Sequence, residues 1–159
     1  MIPGVLTAVA TGGKSDETMK QHPRRRRGLT VDQAMIAVLI AAMDANRHVS
    51  RDEAARVHHI IWSMRRFRRK SGETVNRLID TVRERMEDDG TPAVLHDAAR
   101  TIPPALRQPA FAVAVDTMLS DNRLEREERQ FVRRLAAELK IRPAAADRIV
   151  RVMLVKNGA

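Results

Sequence analysis

A short charged phrase occurs twice in this chain, and each copy joins an apolar run to a charged, helix-forming run. The first copy spans residues 46–53 (NRHVSRDE) and the second spans residues 121–128 (DNRLEREE), so the copies start 75 positions apart (121 − 46). In both copies a polar turn residue is followed by an apolar residue three positions later and by a Glu seven positions later. An internal repeat at this spacing indicates two similar helical halves.

Apolar residues recur at helical spacing along most of the chain after residue 28, which predicts about seven helices and no strand. We expect an all-α fold with helices over Val31–Asp44, Arg51–Arg65, Glu73–Asp88 and Pro92–Thr101, a fifth ending at Leu119, a sixth after Leu124 and a seventh from Pro143. Thr30 with Gln33, and Ser50 with Glu53, have the spacing of capping boxes. Thr91 is the expected N-cap of the fourth helix, and Pro109 is expected to kink or restart the fifth.

The composition fits helix-on-helix packing. Hydrophobic residues make up 43% of the chain but aromatic residues only 3%, so the core must be built from Ala, Val, Leu, Ile and Met. The length of 159 residues suits one domain with a tail. We expect a disordered basic tail over residues 1–28 and one compact helical domain over residues 29–159.

Several classes of protein are disfavoured by what the sequence lacks. The chain has no Cys, which excludes disulfides, thiolate metal sites and cysteine nucleophiles and suits a cytoplasmic location. It has no apolar run long enough for a transmembrane helix. It also has no Gly-rich phosphate loop after a strand and no nucleophilic-triad motif. We therefore expect a protein that is not an enzyme.

The repeated turn carries oxygen ligands in a pattern that overlaps the second half of a calcium loop. Candidate ligands for a divalent cation, Ca²⁺ or another, are Asp44, Asn46 and Glu53 in the first copy and Asp121, Glu125 and Glu128 in the second. The glycine of a calcium loop is replaced by Arg47 and Asn122, so neither copy is complete. Two interpretations stay open: helix capping alone, or ion binding, for which the second copy is the better candidate.

Basic residues support an alternative function. The formal net charge is +9. Basic side chains form two clusters in the sequence. The first consists of Arg24, Arg25, Arg26 and Arg27, and the second of Arg65, Arg66, Arg68, Arg69 and Lys70. An accessory protein could use the Arg-rich tail to bind nucleic acid or an anionic membrane surface non-specifically. The second cluster could instead be a solvated helix end, where cations are favourable.

Four passages of the chain follow one another in a distinctive order. They are residues 34–42 (AMIAVLIAA), residues 102–107 (IPPALR), residues 110–115 (AFAVAV) leading into residues 121–124 (DNRL), and Glu128 with residues 135–141 (LAAELKI). Taken together, they resemble the TerB-like tellurite-resistance family of small bacterial helical proteins. The resemblance extends over about Leu29 to Lys156.

The resemblance implies an all-α fold of two similar halves and a link to tellurite or other stress resistance. It also implies a role in binding metal ions through acidic side chains. We further expect an interaction module with a protein partner. The family's turn pattern is Asp-Gly-x-apolar-x-x-x-Glu. Both copies in this chain lack the glycine, and Asn46 replaces the first Asp, so the second copy, with Asp121 and Glu128, is the better preserved.

Overall fold

The structure, a computed structural model, describes residues 28–46, 53–119 and 124–158. These residues form seven helices and no strand, which confirms the all-α prediction. The helices are α1 (Val31–Ala45), α2 (Glu53–Ser63), α3 (Gly72–Asp89), α4 (Thr91–Thr101), α5 (Pro104–Met118), α6 (Arg126–Glu138) and α7 (Pro143–Asn157).

Helix α1 is the centre of the fold. Its residues from Ala34 to Met43 are all buried, so the helix has no solvent face along these turns. It packs mainly against α3, α4 and α5, and α5 in turn packs against α7. A helix that is apolar all round can be stable only where neighbours surround it, as the sequence pattern predicted.

The start of α1 is the predicted capping box. The Gln33 backbone N–H donates to Thr30 Oγ1 at 3.2 Å, and the Thr30 N–H donates to Gln33 Oε1 at 2.8 Å. Leu29, just before the cap, is buried, whereas Gly28 is exposed. The rest of the predicted tail, residues 1–27, lies outside the described residues.

Helix α3 buries one stripe of four residues and leaves its other faces open. Val75, Ile79, Val82 and Met86 are the buried members, at the spacing predicted from the sequence. Gly90 has φ of +83° and is the C-cap of α3 and the N-cap of α4. The prediction of Thr91 as the N-cap is wrong by one residue, because only a glycine adopts this φ without strain.

Two positions of the second half bear on the sequence predictions, Pro109 and Val152. Helix α5 is continuous from Pro104 to Met118 with Pro109 inside it, so the helix does not restart there. The helical spacing of the apolar residues in α7 predicts an inward face that includes Val152, yet Val152 is 56% exposed. The neighbouring apolar residues Val150 and Met153 are half-buried. Since α7 packs chiefly on one neighbour, α5, only a narrow stripe of α7 is covered.

Candidate cation site at the paired turns

The first copy of the repeated turn begins beside the end of the helix that precedes the second copy in sequence. Asn46, the C-cap of α1, is 95% buried, and its side-chain Nδ2 donates to the carbonyl oxygen of Thr117 at 3.3 Å. Thr117 lies in the last turn of α5. The bond therefore fastens the C-terminal end of α1 to that of α5, from which the second turn departs.

The predicted ligands of the first copy lie at different depths. Asp44 is exposed in the last turn of α1, whereas Asn46 is buried with its amide nitrogen bonded to Thr117. Glu53 is the first residue of α2. The structure thus gives Asn46 a structural role, and its assignment as an ion ligand stays a prediction. Ser50, the expected cap of α2, lies outside the described residues.

The second copy shows a cap at the start of α6. Glu125 is the N-cap and is exposed, while Glu128 is 96% buried. Glu128 Oε2 accepts the backbone N–H of Glu125 at 2.7 Å. This bond shows that Glu128 caps the start of α6. Asp121 lies outside the described residues, so the ligand assignments of Asp121, Glu125 and Glu128 stay predictions.

Both negative and positive charges are found near the C-terminal ends of α1 and α5 in the sequence. Helix C-termini carry partial negative charge, and neither α1 nor α5 has a basic residue in its last turn to offset it. The sequence nevertheless places Arg47 and Arg123 in the two turns. Within the described ranges, no cluster of three or more His, Asp or Glu side chains is arranged to hold a metal ion.

The second basic cluster lies in a compact segment beyond the end of α2, not on the helix. Residues 64–70 form consecutive turns, in which the N–H of Phe67 donates to Met64 O at 3.0 Å and that of Lys70 donates to Phe67 O at 2.9 Å. Phe67 is fully buried and anchors the segment. The helix-end interpretation of this cluster is therefore wrong.

Two cations of this segment are paired with one carboxylate. Lys70 Nζ lies 2.8 Å from Asp32 Oδ2, and Arg66 Nε donates to Asp32 Oδ1. Burial of the Asp32 carboxyl opposes its ionisation, but the hydrogen bonds from Lys70 and Arg66 outweigh burial and lower the pKa of Asp32 below its ordinary value. The pairs connect the first turn of α1 to the segment after α2. Arg65, Arg68 and Arg69 stay exposed.

The family profile described as "Tellurite resistance protein TerB" matches residues 32–151. The chain belongs to the TerB family. The match includes both copies of the turn and residues 64–70, and it excludes the Arg-rich stretch before residue 28. Comparison with curated proteins and with solved structures gave no significant match.

Two further properties of the TerB domain follow from its helices. None of the helices in the described part of the chain combines the length and the apolar character needed to cross a bilayer. Helices α5 and α7, together with the α6–α7 connection, also form a cleft that sequence reasoning did not anticipate. We define this basic cleft by four cationic residues, Arg107, Lys140, Arg142 and Arg148. Arg107 is distant in sequence from the other three, so no local motif joins them.

Proposed function

We propose that this TerB domain is a non-enzymatic module of a tellurite-resistance-like stress response, and that it binds a divalent cation at its paired turns. The observation that carries the proposal is the hydrogen bond from Asn46 to Thr117. Because that bond holds the ends of α1 and α5 together, both turns leave from the same end of the bundle. Carboxylates from two distant parts of the sequence can then serve one site.

The chemistry of this end supports a hard cation. Ca²⁺ and Mg²⁺ take oxygen ligands, and two exposed carboxylates are near the turns in sequence: Asp44 lies two residues before the first copy, and Glu125 belongs to the second copy together with Asp121. The partial negative charge of two adjacent helix ends adds to the attraction. Glu128 supports the site indirectly, because its cap orients the first turn of α6.

The residues of the repeated turn suggest ion binding and not catalysis, which favours a module that acts through binding. We propose that cation occupancy sets the conformation of the turns and that a protein partner recognises them. A cytoplasmic location suits the cysteine-free composition.

Calorimetric titration of the full-length protein with Ca²⁺, Mg²⁺, Mn²⁺ and Zn²⁺ tests the cation site. We expect binding of at least one ion, weakened about tenfold or more by Asp121→Asn/Glu125→Gln. These substitutions remove charge while leaving the Glu128 cap in place. Arg123→Gln should act in the opposite direction and tighten binding, because it removes a positive charge from the second turn.

A matched control is available on α3. Asp80→Asn/Glu84→Gln removes the same charge from exposed positions and should leave the affinity unchanged. The absence of both heat and thermal stabilisation with all four ions would overturn the proposal. Equal weakening by the turn variant and the α3 variant would also overturn it, because the effect would then reflect net charge alone.

One observation favours polyanion binding as a second candidate function. The buried Phe67 holds a segment that presents Arg65, Arg68 and Arg69 to solvent, and no carboxylate of the described residues pairs with these three. Together with Arg24 to Arg27, they could neutralise phosphates of nucleic acid or of an anionic membrane.

Oligonucleotide and anionic-vesicle binding by full-length variants tests this candidate over a range of salt concentrations. Replacing the four tail arginines by Ser should lower the affinity and the salt slope, as should replacing Arg65, Arg68 and Arg69 by Ser. If neither replacement changes the slope, these clusters do not bind polyanions.

A further inference from the structure

The basic cleft lies where the N-terminal parts of α5 and α7 meet the connection from α6 to α7. It encloses about 550 Å³, which is within the size range of small-molecule sites. Arg107 comes from α5, Lys140 and Arg142 from the α6–α7 connection, and Arg148 from α7. Ile141 and Ile149 are the two largest apolar residues of the lining.

The cations of the cleft converge without a compensating acid. No carboxylate lines the cleft, and none elsewhere in the described parts of the chain forms an ion pair with any of the four cations. This differs from Arg66 and Lys70, which share the carboxylate of Asp32. Like charges gathered in a concave site repel one another unless an anion is bound, and the concave shape concentrates their field.

Among the four cations of the basic cleft, Arg107 is oriented by a hydrogen bond to the backbone. It is half-buried, and its Nε donates to the carbonyl oxygen of Ile102 at 3.4 Å. That bond leaves the two terminal nitrogens of the guanidinium for a ligand in the cleft. A guanidinium presents its donors in a fixed fork that matches the oxygens of a phosphate group.

Lys140 occupies a backbone conformation that a lysine adopts at a cost. It has φ of +53° and is the one non-glycine residue with positive φ in the described part of the chain. The N–H of Ile141 donates to Ala136 O and that of Lys140 to Ala137 O, which makes this a Schellman motif with Lys at the usual glycine position. Backbone strain of this kind is enriched at functional sites.

The two helices that border the cleft direct their N-termini towards this region without side-chain caps. Pro104 and Pro143 are the first residues of α5 and α7, and no side chain caps either helix. The N-terminus of a helix carries partial positive charge and exposes backbone donors. Ala144 and Ala145, in the first turn of α7, line the cleft, so the helix end adds to the potential of the side chains.

We propose that the basic cleft binds a small phosphorylated organic molecule, with its phosphate oxygens on Arg107, Lys140, Arg142 and Arg148. The organic part would pack on Ile141 and Ile149, and a planar group would also stack on a guanidinium. A nucleoside diphosphate has this combination of charge, size and planar surface. This function is separate from the cation site, since it uses none of the turn residues.

Titration of the full-length protein with ADP, inorganic pyrophosphate and adenosine, in buffer with a chelator, tests the proposal. We expect ADP to bind more tightly than pyrophosphate, because only ADP has an organic part to pack on the isoleucines, and adenosine not to bind. Arg107→Gln/Arg148→Gln should weaken ADP binding about tenfold or more, since each arginine donates charge-assisted hydrogen bonds. The chelator keeps the result independent of the cation site.

The matched control is Arg133→Gln/Arg134→Gln on α6, which removes the same charge from exposed positions outside the cleft. It should leave ADP binding unchanged. Failure of both ADP and pyrophosphate to bind, or equal weakening by the cleft and control variants, would overturn the proposal. ADP binding no tighter than pyrophosphate would overturn the assignment of an organic ligand.

Lys140→Gly gives a readout that a purely structural role of Lys140 would not produce. Glycine relieves the left-handed strain, so the melting temperature should rise. The same substitution removes a cation from the cleft, so ADP binding should weaken. A higher melting temperature with unchanged ADP affinity would show that Lys140 is not part of the ligand site.

Discussion

The side-chain amide of Asn46 donates to the backbone carbonyl of Thr117 across 71 positions of sequence, at 3.3 Å. Both residues are buried, and each lies at the C-terminal end of one of the two central helices. The same residue that opens the first copy of the turn therefore fastens the two halves of the fold together. The Asn that replaces the Asp of the family pattern supplies an amide donor, which an ionised carboxylate lacks.

Asn46→Ala should lower the free energy of unfolding by about 1–3 kcal/mol, because the Thr117 carbonyl then stays buried without this donor. Urea denaturation measures the change. The exposed Gln130→Ala on α6 is the control and should stay within about 0.5 kcal/mol of the parent. Equal effects of the two substitutions would contradict a stabilising role for the Asn46 bond.

Glu128→Gln and Glu128→Ala should have different effects on stability. Gln keeps an oxygen that accepts the Glu125 N–H, as Gln33 already does for Thr30 at the start of α1. Gln should therefore be nearly neutral, whereas Ala should cost about 1–2 kcal/mol through loss of the cap. Thermal unfolding of both variants measures the two losses of stability. Similar losses for Gln and Ala would show that the charge of Glu128, and not its cap, stabilises the fold.

The contribution of Asp32 to stability should depend on pH. Its folded-state pKa lies below the unfolded value of about 3.9, so ionised Asp32 stabilises the folded state above that pH. The contribution, about 1 kcal/mol for a partly exposed ion pair, is lost as the pH falls through the folded pKa. The difference in unfolding free energy between the parent and Asp32→Asn should thus be constant near neutral pH and shrink below about pH 4.

The partners of Asp32 provide the test of mechanism. In an Arg66→Gln/Lys70→Gln background the favourable pairs are absent, so Asp32→Asn should no longer lower stability at neutral pH. Urea denaturation at several pH values compares four proteins: the parent, Asp32→Asn, Arg66→Gln/Lys70→Gln, and the variant that combines all three substitutions. The comparison gives the coupling free energy between Asp32 and its two partners. A pH-dependent loss that persists without Arg66 and Lys70 would contradict the pairing as its cause.

Phe67→Ala should be among the most destabilising substitutions in residues 64–70. Removal of a fully buried phenyl ring costs about 3–5 kcal/mol. Trp62→Ala is the comparison, because Trp62 is the larger side chain but is 39% exposed beside His58. Denaturation midpoints should fall further for Phe67→Ala. The opposite order would show that Trp62, and not Phe67, anchors this region.

The sequence was sufficient for features that depend on nearby residues. The stripe from Val75 to Met86, the cap formed by Thr30 with Gln33 and the encircling apolar surface of α1 all follow from spacing within one or two helical turns. Such patterns predict which segments are helical and which face of each helix is buried, because the helical period is fixed. The all-α fold could therefore be predicted before any contact was known.

Features that depend on distant residues could not be predicted in this way. Asn46 reads as a turn ligand until Thr117 is placed beside it, and the cluster around Phe67 reads as a helix end until Asp32 is found against Arg66 and Lys70. The basic cleft combines Arg107 with residues contributed after α6. Only Lys140 carried a local signal, as a lysine directly after an apolar helix end where glycine is common.

The encirclement of α1 has a consequence for synthesis on the ribosome. The segment from Ala34 to Met43 leaves the exit tunnel early, whereas α4 and α5, which cover most of it, begin at Thr91 and Pro104. The nascent chain must therefore carry an entirely apolar segment until its partners have been translated. Such segments are targets for chaperones and for aggregation. Folding of this domain is thus completed only after its second half has emerged.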